Sequence, residues 1–345
     1  MPTSPMLNTP LMRLILFCIL SFPLSINNAH AQNLTRFNDI PTNGDNIPPQ
    51  VESIYLKGLR FLQQVQKEDG SFGSNYDKDP AIAGFCLMSI LAHGDDPNVG
   101  PFANMAKKCL SFILSQQNKK TGYIGSSMYS HGFATLALSE AYGYLRDDRI
   151  GPALKKAVEL TLTAQEKNPL GGWRYSPDAT DADTSVTGCQ IVSLYAARNA
   201  GIPIPDKNLT KALRFMASCR DNEGIYGYVN PSGGRTTLSA IGLLTLSLAK
   251  QKKDSSYNLT SRYLVNKINH RESTYPFYFE YYMSQALFHS NEKAWQEWNL
   301  KNIRYMASTQ SPNGSWLSSS GNAYATSVAL LSLAVNFRLL PIYEK

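Results

Sequence analysis

A polar turn motif returns about every fifty residues along this chain. In each copy a helix-like run ends in Gln, and a short polar segment then supplies Gly followed by Ser, Gly or an aromatic residue. The clear copies are Gln66…Gly70-Ser71-Phe72, Gln116-Gln117…Gly122-Tyr123, Gln165…Gly171-Gly172-Trp173 and Gln310…Gly314-Ser315-Trp316. The glycines at 70, 122 and 172 are 52 and 50 residues apart. A fixed period of this size indicates one supersecondary unit stacked on itself.

Two further units are weaker. Asn222-Glu223-Gly224 begins a partial copy of the motif that runs to Tyr228. The 90 residues from Gly224 to Gly314 leave room for one more unit, whose turn has eroded near 273–278. The sequence therefore predicts six units, each of about 49 residues, over residues 50–345.

Each unit contains two kinds of helical pattern. The first is amphipathic, as Leu209, Ala212, Leu213 and Met216 show by recurring at i, i+3, i+4 and i+7. The second is apolar on nearly every side and rich in small residues, in segments 81–91, 131–138, 185–194, 238–248 and 325–334. A helix that is apolar all round must be covered all round. We therefore predict an all-α protein with six inner helices surrounded by six outer ones.

The ring is expected to close on itself. Open solenoids need polar caps at their ends, and neither terminal unit has the character of a cap. In such a ring the four turn glycines at 70, 122, 172 and 314 should all lie in loops on one face.

The Gln…Asp/Asn-Gly-Ser-Phe/Trp turns resemble the repeat of squalene and oxidosqualene cyclases and of protein prenyltransferase β subunits. The resemblance runs from about Gln50 to the C-terminus. It implies a single (α/α)6 toroid, because that is the fold of the family. The fold alone does not assign an activity. The aromatic residues of the turns, Phe72, Trp173 and Trp316, are expected to fill space between outer helices, as the repeat turns do in that family.

The N-terminus has the order of a signal peptide. Arg13 precedes the apolar run 14–26, and Ala29-His30-Ala31 is a small-x-small cleavage site. We predict a signal peptide at 1–31, a flexible leader at 32–49 and export, either secreted or periplasmic. No stable membrane insertion is expected after cleavage, since 13 residues interrupted by Pro23 are short for a span.

The remaining composition excludes several functions. The net charge of +7 is spread along the chain, and no nucleic-acid-binding motif occurs. The cysteines at 86, 109, 189 and 219 lie in apolar helical patterns, which favours buried free thiols, although a pair between neighbouring helices stays open. The late units lack the Cys of a prenyltransferase zinc site. We therefore predict neither a metal nor a cofactor.

The candidate site follows from the direction of the inner helices. Because every unit repeats the same up-down order, the N-termini of all inner helices should meet at one mouth, where free N–H groups and partial positive charge are concentrated. Alignment of the inner segments predicts a ligand-binding group there, consisting of Tyr129, His131, Asp183, Arg235, Glu280, Tyr281, Tyr282 and Tyr324. Walled by aliphatic residues, this mouth is expected to bind an apolar small molecule.

Residues 180–184, Thr-Asp-Ala-Asp-Thr, resemble the Asp-x-Asp-Asp-Thr motif of squalene–hopene cyclases, whose central Asp protonates the substrate. In one alignment Ala182 holds the position of the acid, and in the other the supporting second Asp is lost. Asp183 and Asp181 are the candidate acids. Asp183 is also a suitable N-cap for the helix that follows, and Asp181 then lies in a polar turn.

Three functions stay open on the sequence alone. The first is an exported single toroid that binds an apolar or isoprenoid-like ligand without a complete acid motif. The second is an isoprenoid cyclase or isomerase that uses Asp183 or Asp181 as general acid, with aromatic rings stabilising a cation. The third is an (α/α)6 carbohydrate-active enzyme with a carboxylate pair drawn from Asp181, Asp183 and Glu280.

Overall fold

The computed structural model describes residues 47–73 and 75–344. The predicted signal peptide, and the predicted leader up to residue 46, lie outside the described residues. The described part contains twelve α-helices, which are α1 Pro49–Val65, α2 Pro80–His93, α3 Ala103–Ser115, α4 Met128–Ala141, α5 Ile150–Lys167, α6 Thr184–Asn199, α7 Asp206–Ser218, α8 Thr236–Leu248, α9 Ser255–Val265, α10 Pro276–Ser290, α11 Glu292–Thr309 and α12 Asn322–Ala334. Short 3-10 helices span Asn75–Lys78 and Pro341–Tyr343.

The even-numbered helices form a closed inner ring. They pack in the order α2, α4, α6, α8, α10 and α12, and α12 packs back against α2. Burial follows the sequence pattern, since every residue of α2 from Pro80 to Ala92 is buried. The prediction of an all-α (α/α)6 toroid is confirmed.

The odd-numbered helices form the outer ring. Each packs against the inner helix that precedes it in the chain, and α1 packs against α12 and α11 to complete the circle. These helices are amphipathic: α7 buries Leu209, Ala212 and Met216 on one face. Within residues 47–73 and 75–344, no helix combines the length and apolar content that a membrane span requires.

The motif glutamines bind the outer ring together. The Gln165 amide donates to the Gly171 carbonyl of its own turn at 2.7 Å and to the Asn208 carbonyl of α7, the next outer helix, at 2.9 Å. The same two-way bond recurs three times, from Gln66 to Gly70 and Met105, from Gln117 to Gly122 and Ala153, and from Gln310 to Gly314 and Ile54. The last copy joins the final unit to α1. The repeated Gln is therefore a structural clamp.

The turn glycines are fixed by close backbone packing. Gly122 has φ +81°, and a Cβ there would lie 2.3 Å from the Lys156 carbonyl oxygen of α5. Only glycine fits such a position. In the third unit the residue with positive φ is Gly171, at +81°, rather than its neighbour Gly172. All of these turns connect an outer helix to the next inner helix, so they lie on the face where the inner helices begin, as predicted.

The turn tryptophans are part of the scaffold. Trp173 is buried, and its Nε1–H donates to the Thr161 carbonyl at 2.9 Å. Trp316 is buried and donates to the Met306 carbonyl at 3.2 Å. The four cysteines at 86, 109, 189 and 219 are buried free thiols.

The C-terminal segment packs at the other end of the ring. After α12 the chain reaches the 3-10 turn Pro341–Tyr343, which packs against α6. Ile342 and Tyr343 are buried, and the Ile342 N–H approaches Glu140 Oε2, near the end of α4, at 3.4 Å. This segment covers the end of the ring opposite the mouth.

Candidate ligand-binding site

Side chains cap most inner helices at the mouth. Asp79 accepts from the Ala81 N–H at α2, Ser127 from the Ser130 N–H at α4, and Asp183 from two N–H groups at α6. At α12 the capping group comes from the segment before α2, the neighbouring inner helix: Asp77 Oδ1 accepts from the Tyr324 N–H at 3.2 Å. Helices α8 and α10 have no side-chain cap. Some of the free backbone N–H groups at the mouth are thus already hydrogen-bonded to the protein's own side chains.

Aromatic side chains fill the ring axis below the mouth. Phe133 of α4 and Tyr281 of α10 belong to helices on opposite sides of the ring, yet their ring centroids are 6.4 Å apart. Phe85 of α2 joins them, 4.5 Å from Phe133 and 6.3 Å from Tyr281. We call the connected set the axial aromatic group, and it comprises Phe85, Tyr129, Phe133, Tyr278, Tyr281, Tyr282 and Tyr324.

Four of the predicted ligand-binding residues belong to this group. Tyr129 and Tyr324 lie at its upper edge and are partly exposed, whereas Tyr281 and Tyr282 are buried beneath them. Burial raises the pKa of all four phenols, so they stay neutral hydrogen-bonding groups. The group supplies an aromatic floor with two rings open to the mouth.

A hydrogen-bond chain links the aromatic group to Asp183. The Tyr129 hydroxyl donates to Ser185 Oγ at 2.5 Å, and Ser185 Oγ donates to Asp183 Oδ1 at 2.6 Å. Oδ1 also accepts from the Ser185 and Val186 N–H groups at 2.9 and 2.8 Å. Asp183 therefore caps the N-terminus of α6 with one of its two oxygens, Oδ1, which accepts three hydrogen bonds.

The second oxygen of Asp183 faces Arg174. Oδ2 lies 3.6 Å from Arg174 Nη1 and has no hydrogen-bond partner, although the side chain is 0% exposed. Burial raises the pKa of this carboxyl, and the hydrogen bonds from Ser185 and Val186 and the charge of Arg174 offset part of that rise. Asp181 is exposed, with Oδ2 3.6 Å from Arg174 Nε.

Tyrosine rings hold Arg174 in place. Its guanidinium lies 4.9 Å from the ring centroid of Tyr175 and 5.1 Å from that of Tyr228. The hydroxyls of these two tyrosines are hydrogen-bonded to each other. No sequence pattern predicted a role for Arg174, Tyr175 or Tyr228. The only available signal was that Arg174-Tyr175 lies in the segment leading to Asp183.

His131 does not join the mouth group. It is fully buried between α4 and α5, where Nδ1 accepts from the Ile124 N–H at 3.2 Å and Nε2 lies 3.1 Å from the Ala157 carbonyl oxygen. Burial lowers its pKa to about 4, so the ring is neutral. The reason is register: two residues beyond Tyr129 is about 200° around a helix.

Glu280 and Arg235 also lie outside the group formed by Tyr129, Asp183 and the axial rings. Glu280 Oε1 is 3.3 Å from Arg271 Nη1, and Arg271 stacks on Tyr305 of the outer helix α11. Burial raises the pKa of Glu280 to about 8. Glu280 precedes Tyr281, so it is rotated by about 100° from the axis. Arg235 is exposed at the start of α8. The described residues contain no group of three or more side chains that could hold a metal ion.

The family follows from this fold and its repeats. The prenyltransferase alpha-alpha toroid domain matches residues 57–276. The chain belongs to the prenyltransferase alpha-alpha toroid family. No curated protein sequence matches it.

Solved structures with the same fold carry different activities. A variant of the type II terpene cyclase MstE from Scytonema, in complex with geranylgeranyl dihydroxybenzoate, is 14% identical with a TM-score of 0.60, covering 85% of this chain and 99% of its own. An inactive variant of the α-1,6-mannanase GH76A of Salegentibacter, in complex with α-1,6-mannotetrose, is 13% identical with a TM-score of 0.60 and the same coverage. The GH76 α-mannanase of Bacteroides thetaiotaomicron is 11% identical, with a TM-score of 0.60 and coverage of 82% and 94%. At this identity the likeness shows the toroid fold, which terpene cyclases and mannanases share.

Proposed function

We propose that this chain is an exported toroid protein that binds an apolar, isoprenoid-like ligand at its mouth and does not act as a cyclase. The observation that carries the proposal is the axial aromatic group. Tyr129 and Tyr324 present partly exposed rings above a floor of Phe85, Phe133 and Tyr281. Rings in this arrangement offer apolar contact area to a hydrocarbon.

The rim of the mouth supports the same ligand class. Among the described residues, seven large hydrophobic side chains are exposed. Five of them lie in loops that lead from an outer to an inner helix, and these are Leu170, Tyr175, Val229, Tyr275 and Leu317. Exposed apolar side chains gathered on one face of a protein are typical of a binding surface.

The depth of the site argues against cyclase chemistry. Folding a long polyprenyl chain requires open space along the axis, and here Phe133 and Tyr281 meet across it. Asp183 is committed as an N-cap that receives three hydrogen bonds on one oxygen. A cyclase acid must be neutral and dry, whereas the adjacent Arg174 guanidinium favours the charged carboxylate.

One observation favours the cyclase alternative. Burial raises the pKa of Asp183, and its Oδ2 has no hydrogen-bond partner. A carboxyl that is dry and more readily protonated is what a cyclase acid requires. The carbohydrate alternative has less support, because Glu280 pairs with Arg271 rather than standing opposite Asp183 at the mouth.

A titration separates these functions. Isothermal calorimetry with geraniol, farnesol and α-1,6-mannotetraose should show binding of the two isoprenoid alcohols and none of the sugar. Tyr129→Ala and Tyr324→Ala should weaken binding several-fold. Tyr195→Ala is the matched control, since this partly exposed tyrosine lies toward the far end of α6 and contacts Arg198.

Other results would decide against the proposal. Sugar binding without isoprenoid binding would favour the carbohydrate function. Conversion of squalene or a shorter polyprenyl substrate by the wild type, lost in Asp183→Asn, would establish the cyclase alternative. Thermal unfolding of each variant would confirm that the fold is intact.

A further inference from the structure

Two buried cysteines from neighbouring helices meet where the first unit of the ring joins the second. Cys86 lies on the inner helix α2 and Cys109 on the outer helix α3, which follows it in the chain and packs against it. Both side chains are 0% exposed. The two thiols are so close that Cys109 raises the pKa of Cys86 through a hydrogen bond and through its charge. The clamp glutamine Gln66 donates to Cys109 Sγ at 3.2 Å and holds that sulfur in place.

The register of the two helices brings these cysteines to the same height in the ring. The helices are antiparallel, because α2 begins at the mouth face and α3 ends there. Cys86 lies six residues after Pro80, the first residue of α2, and Cys109 lies six residues before Ser115, the last residue of α3. At about 1.5 Å per residue, each cysteine is about 9 Å below the mouth end of its helix. The backbone therefore places the pair side by side.

The other two cysteines do not match in this way. Cys189 lies five residues after Thr184, the first residue of α6, whereas Cys219 follows the last residue of α7 at the mouth end. Their heights differ by about 9 Å. Cys189 Sγ faces α4 instead, since it would lie 2.6 Å from a Cβ added to Gly132. Cysteines whose Cα atoms are more than about 7 Å apart cannot be bridged without movement of the backbone.

We propose that Cys86 and Cys109 form a disulfide bond when the chain folds in an oxidising compartment. The bond would join the inner helix of the first unit to the outer helix of the second. The inference rests on the export part of the proposed function and not on ligand binding, because disulfides persist in exported proteins. A covalent loop from 86 to 109 would stabilise the ring by restricting the unfolded chain.

The oxidant is a disulfide compound such as oxidised glutathione. The thiolate of one cysteine attacks the disulfide of the oxidant, which gives a mixed disulfide and releases one glutathione thiol. The thiolate of the other cysteine then attacks the protein sulfur of the mixed disulfide, forms the Cys86–Cys109 bond and releases the second glutathione thiol. The protein loses two electrons and two protons, and the oxidant gains both.

Burial determines when this reaction takes place. Burial raises the pKa of the Cys86 thiol well above its usual range, and the thiolate is the reacting form. The folded chain with reduced cysteines is therefore expected to react slowly. Oxidation occurs while the helices assemble, and the completed bond is then shielded from added reductant.

Refolding under two redox conditions tests the inference. The full chain is unfolded with reductant, refolded either in mixed reduced and oxidised glutathione or in dithiothreitol, alkylated, and digested with trypsin without reduction. Cleavage after the lysines at 78, 107 and 108 separates the two cysteines. Mass spectrometry should find the Cys86 and Cys109 peptides linked after refolding in glutathione and separate after refolding in dithiothreitol. The oxidised chain should melt at least about 3 °C above the reduced chain.

Single-cysteine variants supply the controls. Cys86→Ala and Cys109→Ala should each eliminate both the linked peptides and the difference in melting temperature. Cys219→Ala, at an equally buried cysteine, is the matched control and should retain both. Circular dichroism of each variant verifies that the helices have formed.

Three results would overturn the inference. Recovery of every cysteine in alkylated form after refolding in glutathione would show that the pair does not oxidise. A link between Cys189 and Cys219 in place of the expected one would contradict the register argument. A linked chain that melts below the reduced chain would show that the bond distorts the native packing. All three are distinguishable from failure of ligand binding, which the geraniol titration measures separately.

Discussion

Two kinds of outer-to-inner connection coexist in this ring. The turns after α1, α3, α5 and α11 each carry the glutamine clamp, in which one amide bonds its own turn and the next outer helix. The connections 219–235 between α7 and α8 and 266–275 between α9 and α10 have no such glutamine. The regular turns satisfy their polar groups within the scaffold.

Helix α10, which follows the connection 266–275, differs in character from the other inner helices. Helix α10 supplies Tyr278, Tyr281 and Tyr282 to the axial aromatic group. It also carries buried polar atoms without hydrogen-bond partners at Ser284 Oγ and Gln285 Oε1. The comparison indicates that the glutamine clamps hold the ring together, whereas the connection without a clamp at 266–275 precedes the helix that supplies three of the five tyrosines of the axial aromatic group.

The largest expected effect is at a turn glycine. Gly122→Ala places a Cβ 2.3 Å from the Lys156 carbonyl oxygen in a backbone with φ +81°. We expect a loss of more than about 3 kcal/mol in the free energy of unfolding, measured by urea denaturation. Gly201→Ala is the control, because Gly201 has φ +87° but nothing within 4 Å of the new Cβ. It should cost about 1 kcal/mol, and equal losses would contradict the close-packing account.

The second largest effect is expected at the glutamine clamp. Gln165→Ala removes bonds to the Gly171 and Asn208 carbonyls and leaves the buried Asn208 side-chain amide without the Gln165 Oε1 acceptor. The expected loss of stability is about 2–3 kcal/mol by chemical denaturation. Gln63→Ala is the control, since this exposed amide also donates to a carbonyl, that of Pro101, and should cost less than about 1 kcal/mol. Similar losses at the two sites would remove the distinction between clamp and ordinary surface bond.

A pH titration tests the irregular unit. Burial raises the pKa of Glu280 from 4.5 to about 8, so between these values the native state binds more protons than the unfolded state. Stability should therefore fall as pH rises toward 8, by at most about 1.4 kcal/mol per pH unit for one group. His131, whose pKa is lowered from 6.5 to about 4, acts oppositely below pH 6.5. Between pH 6.5 and 8, His131 therefore does not oppose the loss of stability caused by Glu280, and the effect of Glu280 is easiest to measure.

The control for this titration is a neutral variant. Glu280→Gln should flatten part of the slope between pH 6.5 and 8. Glu140, whose pKa burial also raises to about 8, should maintain the remainder, and the double variant should flatten it further. A slope unchanged in both variants would show that neither carboxyl is buried as described.

The smallest effect is expected at the mouth itself. Asp183→Ala should lower stability by about 1 kcal/mol through the lost N-cap. Asp183→Asn keeps Oδ1 and should cost less, although its amide then faces Arg174. Thermal unfolding of the three proteins gives the comparison. A loss as large in Asn as in Ala would mean that the Oδ2–Arg174 contact, rather than the cap, stabilises α6.

The sequence predicted the ring because four clear copies and one partial copy of the turn, with two recurring helix patterns, set a period that six units fill. It predicted the N-cap role of Asp183 and the buried cysteines from local patterns. It expected aliphatic walls below the mouth, where the structure places aromatic rings such as Phe85, Phe133 and Tyr281. It misplaced His131 and Glu280, because one or two residues along a helix turn a side chain by about 100° or 200°. Arg174 was passed over because its position depends on the path of an irregular loop and on Tyr228, 54 residues away in the chain.

A crystal structure of the chain with geraniol bound would test the central claim most directly. We expect the hydrocarbon against Tyr129 and Tyr324, above the floor of Phe85 and Phe133. Geraniol on the outer ring, with the mouth unchanged, would contradict both the assignment of this face as the binding site and the division of the ring into scaffold and site.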